Sequence, residues 1–189
     1  MISKALKFSS EALDQFLRNR MGLDESKVIL NNLIESSGSI PLANQNKVVI
    51  SLINIDKETA RPFHIRNVQL NGGNYADISP SEKYNLDVLI SANFDDYSET
   101  LKFLDAVLVF FQVNICFDSR SNPGMPEGLN KLEFETEKMS YHQMHSLWTA
   151  MGAKYQPSIL YKIRLVTVQG NQTSALRTAI LQNSNSVKQ

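Results

Sequence analysis

The clearest alternation of apolar and polar residues runs from Tyr84 to Phe94, and a helical pattern follows it directly. Every second residue of this stretch is apolar: Tyr84, Leu86, Val88, Ile90, Ala92 and Phe94. This period of two predicts a strand with one buried face. From Tyr97 the apolar spacing becomes that of a helix, and Asp96, with Glu99 three residues later, is typical of a helix N-terminus.

The C-terminal half of this predicted helix is apolar on every side. In residues 106–113 the only polar residue is Gln112. A helix of this kind must be covered all round, so we expect it in the centre of the core. Apolar surface beyond the needs of one domain often marks an interface, so Phe110 and Phe111 are also candidates for a subunit contact. The run is too short for a membrane span, which needs about 20 apolar residues.

The segments before this unit show their own patterns. Apolar residues between positions 2 and 17 recur on one face of a helix, which Gly22 ends. Lys27–Ile34 predicts a first strand, and Val48–Ile55, which is apolar on both faces, predicts a central strand. Phe63–Leu70 predicts another strand, and its charged residues favour an edge or a hairpin arm.

Two strands and a short helix are predicted in the second half of the chain. Leu132–Thr136 and Ile159–Val168 alternate as strands with one wet face. Between them Ser140 and Gln143 form a capping box, and Gly152 ends the helix that follows. The apolar stripe of this helix consists of Tyr141, Met144, Leu147, Trp148 and Met151.

Loops and a tail complete the chain. Glycine and proline predict loops at Asn71–Lys83 and Asp118–Gly128. Residues 169–189 are polar and predict a tail that becomes ordered only on assembly, although Leu176 and Ile180, four residues apart, would also suit a short amphipathic helix. The whole pattern predicts an α/β (α+β) fold with a mixed, largely antiparallel sheet flanked by helices across residues 1–168.

Composition restricts the classes of function. The 189 residues contain 19 basic and 19 acidic side chains, so the formal charge is zero and there is no basic stripe for nucleic acid. The single cysteine, Cys116, fits a reducing compartment, and its apolar neighbours favour an inert, buried thiol. The N-terminus has no apolar signal region, so we expect synthesis in the cytoplasm and no membrane partner.

Candidate chemistry is sparse. His142 and His145 lie three apart on the predicted short helix, which leaves open a small metal-dependent enzyme as an alternative. No HExxH motif and no third ligand accompany them, so we predict no metal, no cofactor and no catalytic residues. The Gly72–Gly73 pair would suit a ligand-binding loop, but it lacks a phosphate-binding fingerprint.

Three long stretches resemble one known family. They are Gly38–Ala60 (GSIPLANQNKVVISLINIDKETA), Tyr84–Gln112 (YNLDVLISANFDDYSETLKFLDAVLVFFQ) and Lys131–Val168 (KLEFETEKMSYHQMHSLWTAMGAKYQPSILYKIRLVTV). In order and spacing they resemble the cap or tail-terminator domain of extracellular contractile injection systems of the antifeeding-prophage and virulence-cassette type. These domains are in turn similar to phage tail terminators.

The resemblance implies a structural protein and no enzyme. Members of the family are expected to form a hexameric ring that ends tube and sheath polymerisation and anchors the sheath to the tube. The implied partners are further copies of the chain and the tube and sheath proteins, in a phage-tail-like particle that is assembled in the cytoplasm and then released. Longer members continue into a second domain, so an outermost cap and a shorter paralogue both stay open. A baseplate or tube-adaptor protein of the same machine is the alternative.

A ring of identical subunits needs two different contact patches on each subunit. Phe110 and Phe111 are the candidates for one patch. For the other, strand addition favours either an edge strand containing Leu132 and Phe134 or the tail containing Leu176 and Ile180.

Overall fold

The strand and helix at the centre of the chain form where the pattern predicts them, but residues 88–92 of the strand are buried on both faces and not on one, because helices cover both faces of the sheet. The computed structural model describes residues 1–58, 66–69, 74–78, 82–168 and 173–178. Strand β5 covers Glu82–Asn93 and helix α2 covers Tyr97–Val113. The Asp96 side chain accepts a hydrogen bond from the backbone N–H of Ser98 at 2.8 Å, which caps the helix.

Two further helices and eight further strands flank this central unit in the described ranges. Before it come helix α1 (Ile2–Met21) and strands β1 (Val28–Leu30), β2 (Lys47–Lys57), β3 (Arg66–Gln69) and β4 (Asn74–Ile78). After it come strands β6 (Cys116–Asp118) and β7 (Lys131–Thr136), helix α3 (Tyr141–Met151), and strands β8 (Ser158–Val168) and β9 (Thr173–Thr178). A 3₁₀ turn covers Leu42–Asn44.

The chain divides into two units. Residues 1–58 and 83–167 form the first, and residues 59–82 and 168–189 form the second. The first unit is built on a six-stranded sheet of order β1-β2-β5-β8-β7-β6. The pairs β2–β5, β7–β8 and β6–β7 are antiparallel, whereas β1 runs parallel to β2. The second unit contains an antiparallel sheet of order β3-β4-β9.

Helices cover both faces of the six-stranded sheet. Helices α1 and α2 pack on one face, in a core that includes Leu13, Val48, Val88, Val107 and Ile163. Helix α3 packs on the other face, where Trp148 meets Leu33, Val49 and Leu89. The alternation of β2 and β5 sends neighbouring side chains to opposite faces, so each strand contributes to both cores. The predicted mixed, largely antiparallel sheet with flanking helices is confirmed.

Several predicted helix ends are confirmed by their caps. Gly22 ends α1 in the left-handed conformation, with φ +63°. Ser140 and Gln143 form the predicted capping box of α3, and Gly152 ends that helix with φ +68°. Tyr141, placed by the pattern in the apolar stripe of α3, is instead 89% exposed because it occupies the first turn, beyond the edge of the core.

Four predictions of local structure are wrong. The predicted loop at Asn71–Lys83 contains strand β4 and the start of β5, because chain pairing there overrides the local turn residues. Strand β1 is only three residues long, against a predicted strand at Lys27–Ile34. The segment at Thr173–Thr178 forms strand β9, so the helix considered there does not form. Cys116 is exposed, because its side chain lies on the face of β6 opposite the buried Phe117.

Candidate assembly surfaces

The two phenylalanines at the end of α2 lie inside the subunit. The side chains of Phe110 and Phe111 are 3% and 5% exposed. The ring centroid of Phe111 lies 4.9 Å from that of Phe134 and 4.4 Å from that of Tyr161. The ring centroid of Phe110 lies 5.3 Å from that of Phe16. Aromatic pairs at such distances contribute about 0.5–1.5 kcal/mol each beyond the area they bury. Both side chains therefore pack within one chain.

The other predicted contact residues lie in different places. Leu132 and Phe134 are 0% and 6% exposed and face the same core as α2. Their strand, β7, lies between β6 and β8, so the edge of the sheet is β6 and not β7. Leu176 belongs to β9 in the second unit, and Ile180 lies outside the described residues. Participation of these residues in a subunit contact stays a prediction, since a single chain does not test it.

Helix α2 exposes a different set of apolar side chains. Tyr97, Leu101 and Leu108 are 65%, 45% and 45% exposed. At about 100° per residue these three positions fall within about 40° of the helix circumference, so they form one stripe. We call these three residues the α2 outer stripe. Their spacing is visible in the sequence, but the sequence does not show which side of an all-apolar helix stays uncovered.

A rigid loop presents two more apolar side chains. Ile40 and Leu42 are 45% and 88% exposed. Beside them Asn44 is only 1% exposed: its Nδ2 donates to the carbonyl oxygen of Asn32 and its Oδ1 accepts from Nδ2 of Asn31, both at 2.8 Å. The Asn44 carbonyl also accepts a hydrogen bond from a β5 side chain at 2.9 Å. These bonds fix the loop and hold the exposed side chains in place.

The outer edge of β2 is partly open. Strand β1 pairs with β2 only as far as Ile50, and no other described strand continues that pairing. A groove of about 350 Å³ lies beside the open part, lined mainly by the apolar side chains of Leu33, Ile34, Leu52, Leu147 and Met151. The register with β5 shifts between Leu52 and Asn54, which is a β-bulge at Ile53. Bulges of this kind discourage unwanted pairing at a sheet edge.

Charged side chains on the sheet are paired within the chain. Lys162 contacts Glu137 and lies 3.8 Å from Asp87, and the hydrogen bond from Lys162 to Glu137 raises the pKa of Lys162 above its ordinary value. In the turn after β6 the Arg120 guanidinium donates to the carboxylate of Asp118 at 3.0 Å, and this bond lowers the pKa of Asp118 to about 2. Charged side chains that are already paired within the chain gain less free energy from contact with another protein than unpaired ones do.

The residues considered for metal or ligand binding are His142, His145, Gly72 and Gly73. His142 and His145 are both exposed on α3. Within the part of the chain that the structure describes, no group of three or more His, Cys, Asp or Glu side chains is placed to hold a metal ion. Gly72 and Gly73 lie outside the described residues. None of the helices that the structure describes is both long enough and apolar enough to span a bilayer.

Two solved structures, both determined by cryo-electron microscopy, share this fold. The sheath/tube terminator of the extracellular contractile injection system PVC, in its extended state, matches with a TM-score of 0.65 and 16% identity, over 100% of this chain and 64% of that one. The tube-terminating cap of the anti-feeding prophage matches with a TM-score of 0.54 and 13% identity, over 94% of this chain and 59% of that one. The fold is therefore that of the contractile injection system terminators.

The sequence adds the family. The chain belongs to the Pvc16 N-terminal domain family, whose model matches residues 10–181, and this confirms the resemblance found in the sequence. No curated protein matches the chain significantly. The chain spans less than two thirds of each of the two terminator chains it matches.

Proposed function

We propose that this chain is a structural cap or terminator subunit of a contractile injection system. It forms a ring that ends tube and sheath polymerisation and anchors the sheath to the tube. The observation that carries the proposal is the family match across residues 10–181. The shared fold supports it, because both matching structures are terminators of such particles.

The proposal includes the partners and the place of assembly. The ring is hexameric, and its partners are further copies of the chain together with the tube and sheath proteins. Synthesis and assembly take place in the cytoplasm, and the finished phage-tail-like particle is then released. The role is non-enzymatic, since binding the end of a polymer requires complementary surfaces and no bond-breaking step.

Electron microscopy of particles that carry a tagged copy of the chain tests the proposal. The tag is expected at the end of the tube away from the baseplate, on every complete particle. Particles made without the chain are expected to have tubes of variable length and sheaths that detach on contraction. A matched particle with the tag on the sheath protein controls for labelling along the whole shaft.

Other outcomes point to the alternatives. A tag found at the opposite end would replace the terminator role with that of a baseplate or tube-adaptor protein. Stoichiometric zinc or iron in the purified chain, lost on replacing His142 and His145 with alanine, would instead favour a metal-dependent enzyme.

A further inference from the structure

Helix α2 has apolar side chains that the rest of its own chain does not cover. Its inner side packs Phe103, Leu104, Val107, Phe110 and Phe111 into the core. The α2 outer stripe keeps about half or more of its surface exposed. Three apolar side chains aligned along about 16 Å of one helix form a contiguous patch. Contiguous apolar surface of this kind marks an interaction site more often than scattered apolar residues do.

The charges around the outer stripe are mainly acidic. Asp105 is exposed beside the stripe, Asp95 and Asp96 are exposed at its N-terminal end, and Lys102 is the single exposed base among residues 95–108. Asp105 lies between Leu101 and Leu108 in sequence and borders the stripe. A partner for this surface therefore needs long aliphatic stems that end in positive charge.

Helix α1 offers such a surface on the same chain. Its exposed face carries Lys4, Lys7 and Arg18 against one acid, Glu11. Lysine stems cover apolar surface while their charged ends stay in water or meet an acid. The ion pair of Lys7 with Glu11 is long, at 3.8 Å, and both side chains are well exposed, so it holds Lys7 only weakly.

We propose that the α2 outer stripe of one copy packs against the exposed face of α1 in a second copy. The stems of Lys4 and Lys7 cover Leu101 and Leu108, and the ammonium group of Lys7 approaches Asp105. The opposite charges of the two faces select this pairing over contacts of α2 with α2 or of α1 with α1. In an open row of subunits joined by this contact, one end has an unpaired α2 patch and the other end has an unpaired α1 patch. These two patches can pair with each other, so the contact supports a closed ring.

This inference rests on the proposed function in one respect, since a ring needs a contact between copies. Its test uses the purified full-length chain without tube or sheath protein, so the two proposals fail separately. Sedimentation velocity across a concentration series measures self-association, and circular dichroism with thermal melting checks that each variant is folded. Leu101→Asp and Leu108→Asp should each weaken association at least tenfold while the melting profile stays cooperative.

Charge reversal supplies the sharper comparison. Lys7→Glu alone and Asp105→Lys alone should each weaken association, and the double variant in one chain should recover most of it. Tyr141→Asp is the matched control, because Tyr141 is 89% exposed and lies on α3, on the face of the sheet opposite α1 and α2. Its association should equal that of the parent chain.

Three results would overturn the contact. They are a parent chain that stays monomeric at high micromolar concentration, stripe variants that associate as the parent does, and a double variant no better than the single reversals. Loss of association with Tyr141→Asp but not with Leu108→Asp would place the contact elsewhere. Each of these outcomes leaves the electron microscopy of tagged particles as an independent measurement.

Discussion

The two sides of α2 differ sharply between Phe111 and Leu108, which are less than one turn apart. Phe111 is 5% exposed and packs against two aromatic rings, so Phe111→Ala should lower the free energy of unfolding by about 3–5 kcal/mol. Leu108 is 45% exposed, so Leu108→Ala removes little buried surface and should cost about 1 kcal/mol or less. The whole free energy of unfolding of a small domain is about 5–15 kcal/mol, so Phe111→Ala is a severe change and Leu108→Ala is a mild one.

Urea titration followed by circular dichroism measures both free energies, and sedimentation at fixed concentration measures association of the same samples. We expect Phe111→Ala to shift the unfolding midpoint strongly, and Leu108→Ala to weaken association with almost no shift. A Phe111→Ala variant that unfolds within about 1 kcal/mol of the parent and loses association instead would refute the assignment of this side chain to the core. Phe111 would then be an interface residue, as the sequence pattern predicted.

Three further predictions concern stability. Asn44→Ala removes two side-chain hydrogen bonds of a buried amide and should cost about 1–3 kcal/mol in the same urea titration. Gly128 has φ +89°, and an added Cβ would lie 2.3 Å from Cε of Met1, so Gly128→Ala should cost about 1–2 kcal/mol, whereas Gly124→Ala, with open space around it, should be close to neutral. Burial raises the pKa of Tyr161 above 10.0, so the folded state favours the neutral phenol and its stabilising effect is lost as pH rises through that raised value. As pH rises above about 10, the melting temperature of the parent chain should therefore fall more steeply than that of Tyr161→Phe.

Local chemistry explains why some elements are predictable from the sequence. Strand β5 places every second residue in the core beneath α1 and α2, which gives it a period of two, and α2 begins where Asp96 caps it. The capping box at Ser140 and the glycines after α1 and α3 act through hydrogen bonds and backbone conformation within a few residues. Caps of this kind need no partner distant in sequence, so they can be interpreted without a structure.

The features that the sequence pattern did not predict depend on contacts with residues that are distant in sequence. Strand β4 forms in a segment that contains turn residues because it pairs with β3 and β9, which lie on either side of it in the sheet. Cys116 has two apolar neighbours in sequence, but its side chain lies on the face of β6 opposite the buried Phe117 and stays exposed. Tertiary packing decides both outcomes, and no local pattern encodes it.

Assembly surfaces are harder still, because the same residues serve a core and an interface. Leu104 and Leu108 are identical residues one turn apart on α2, yet their side chains are 9% and 45% exposed. An apolar pattern states only that a side chain will be covered, either by its own chain or by a neighbour. The structure shows which positions the chain covers itself, and Phe110 and Phe111 are among them. The charges beside the uncovered residues then give the chemistry of the partner, and on α2 they favour the basic face of another copy's α1.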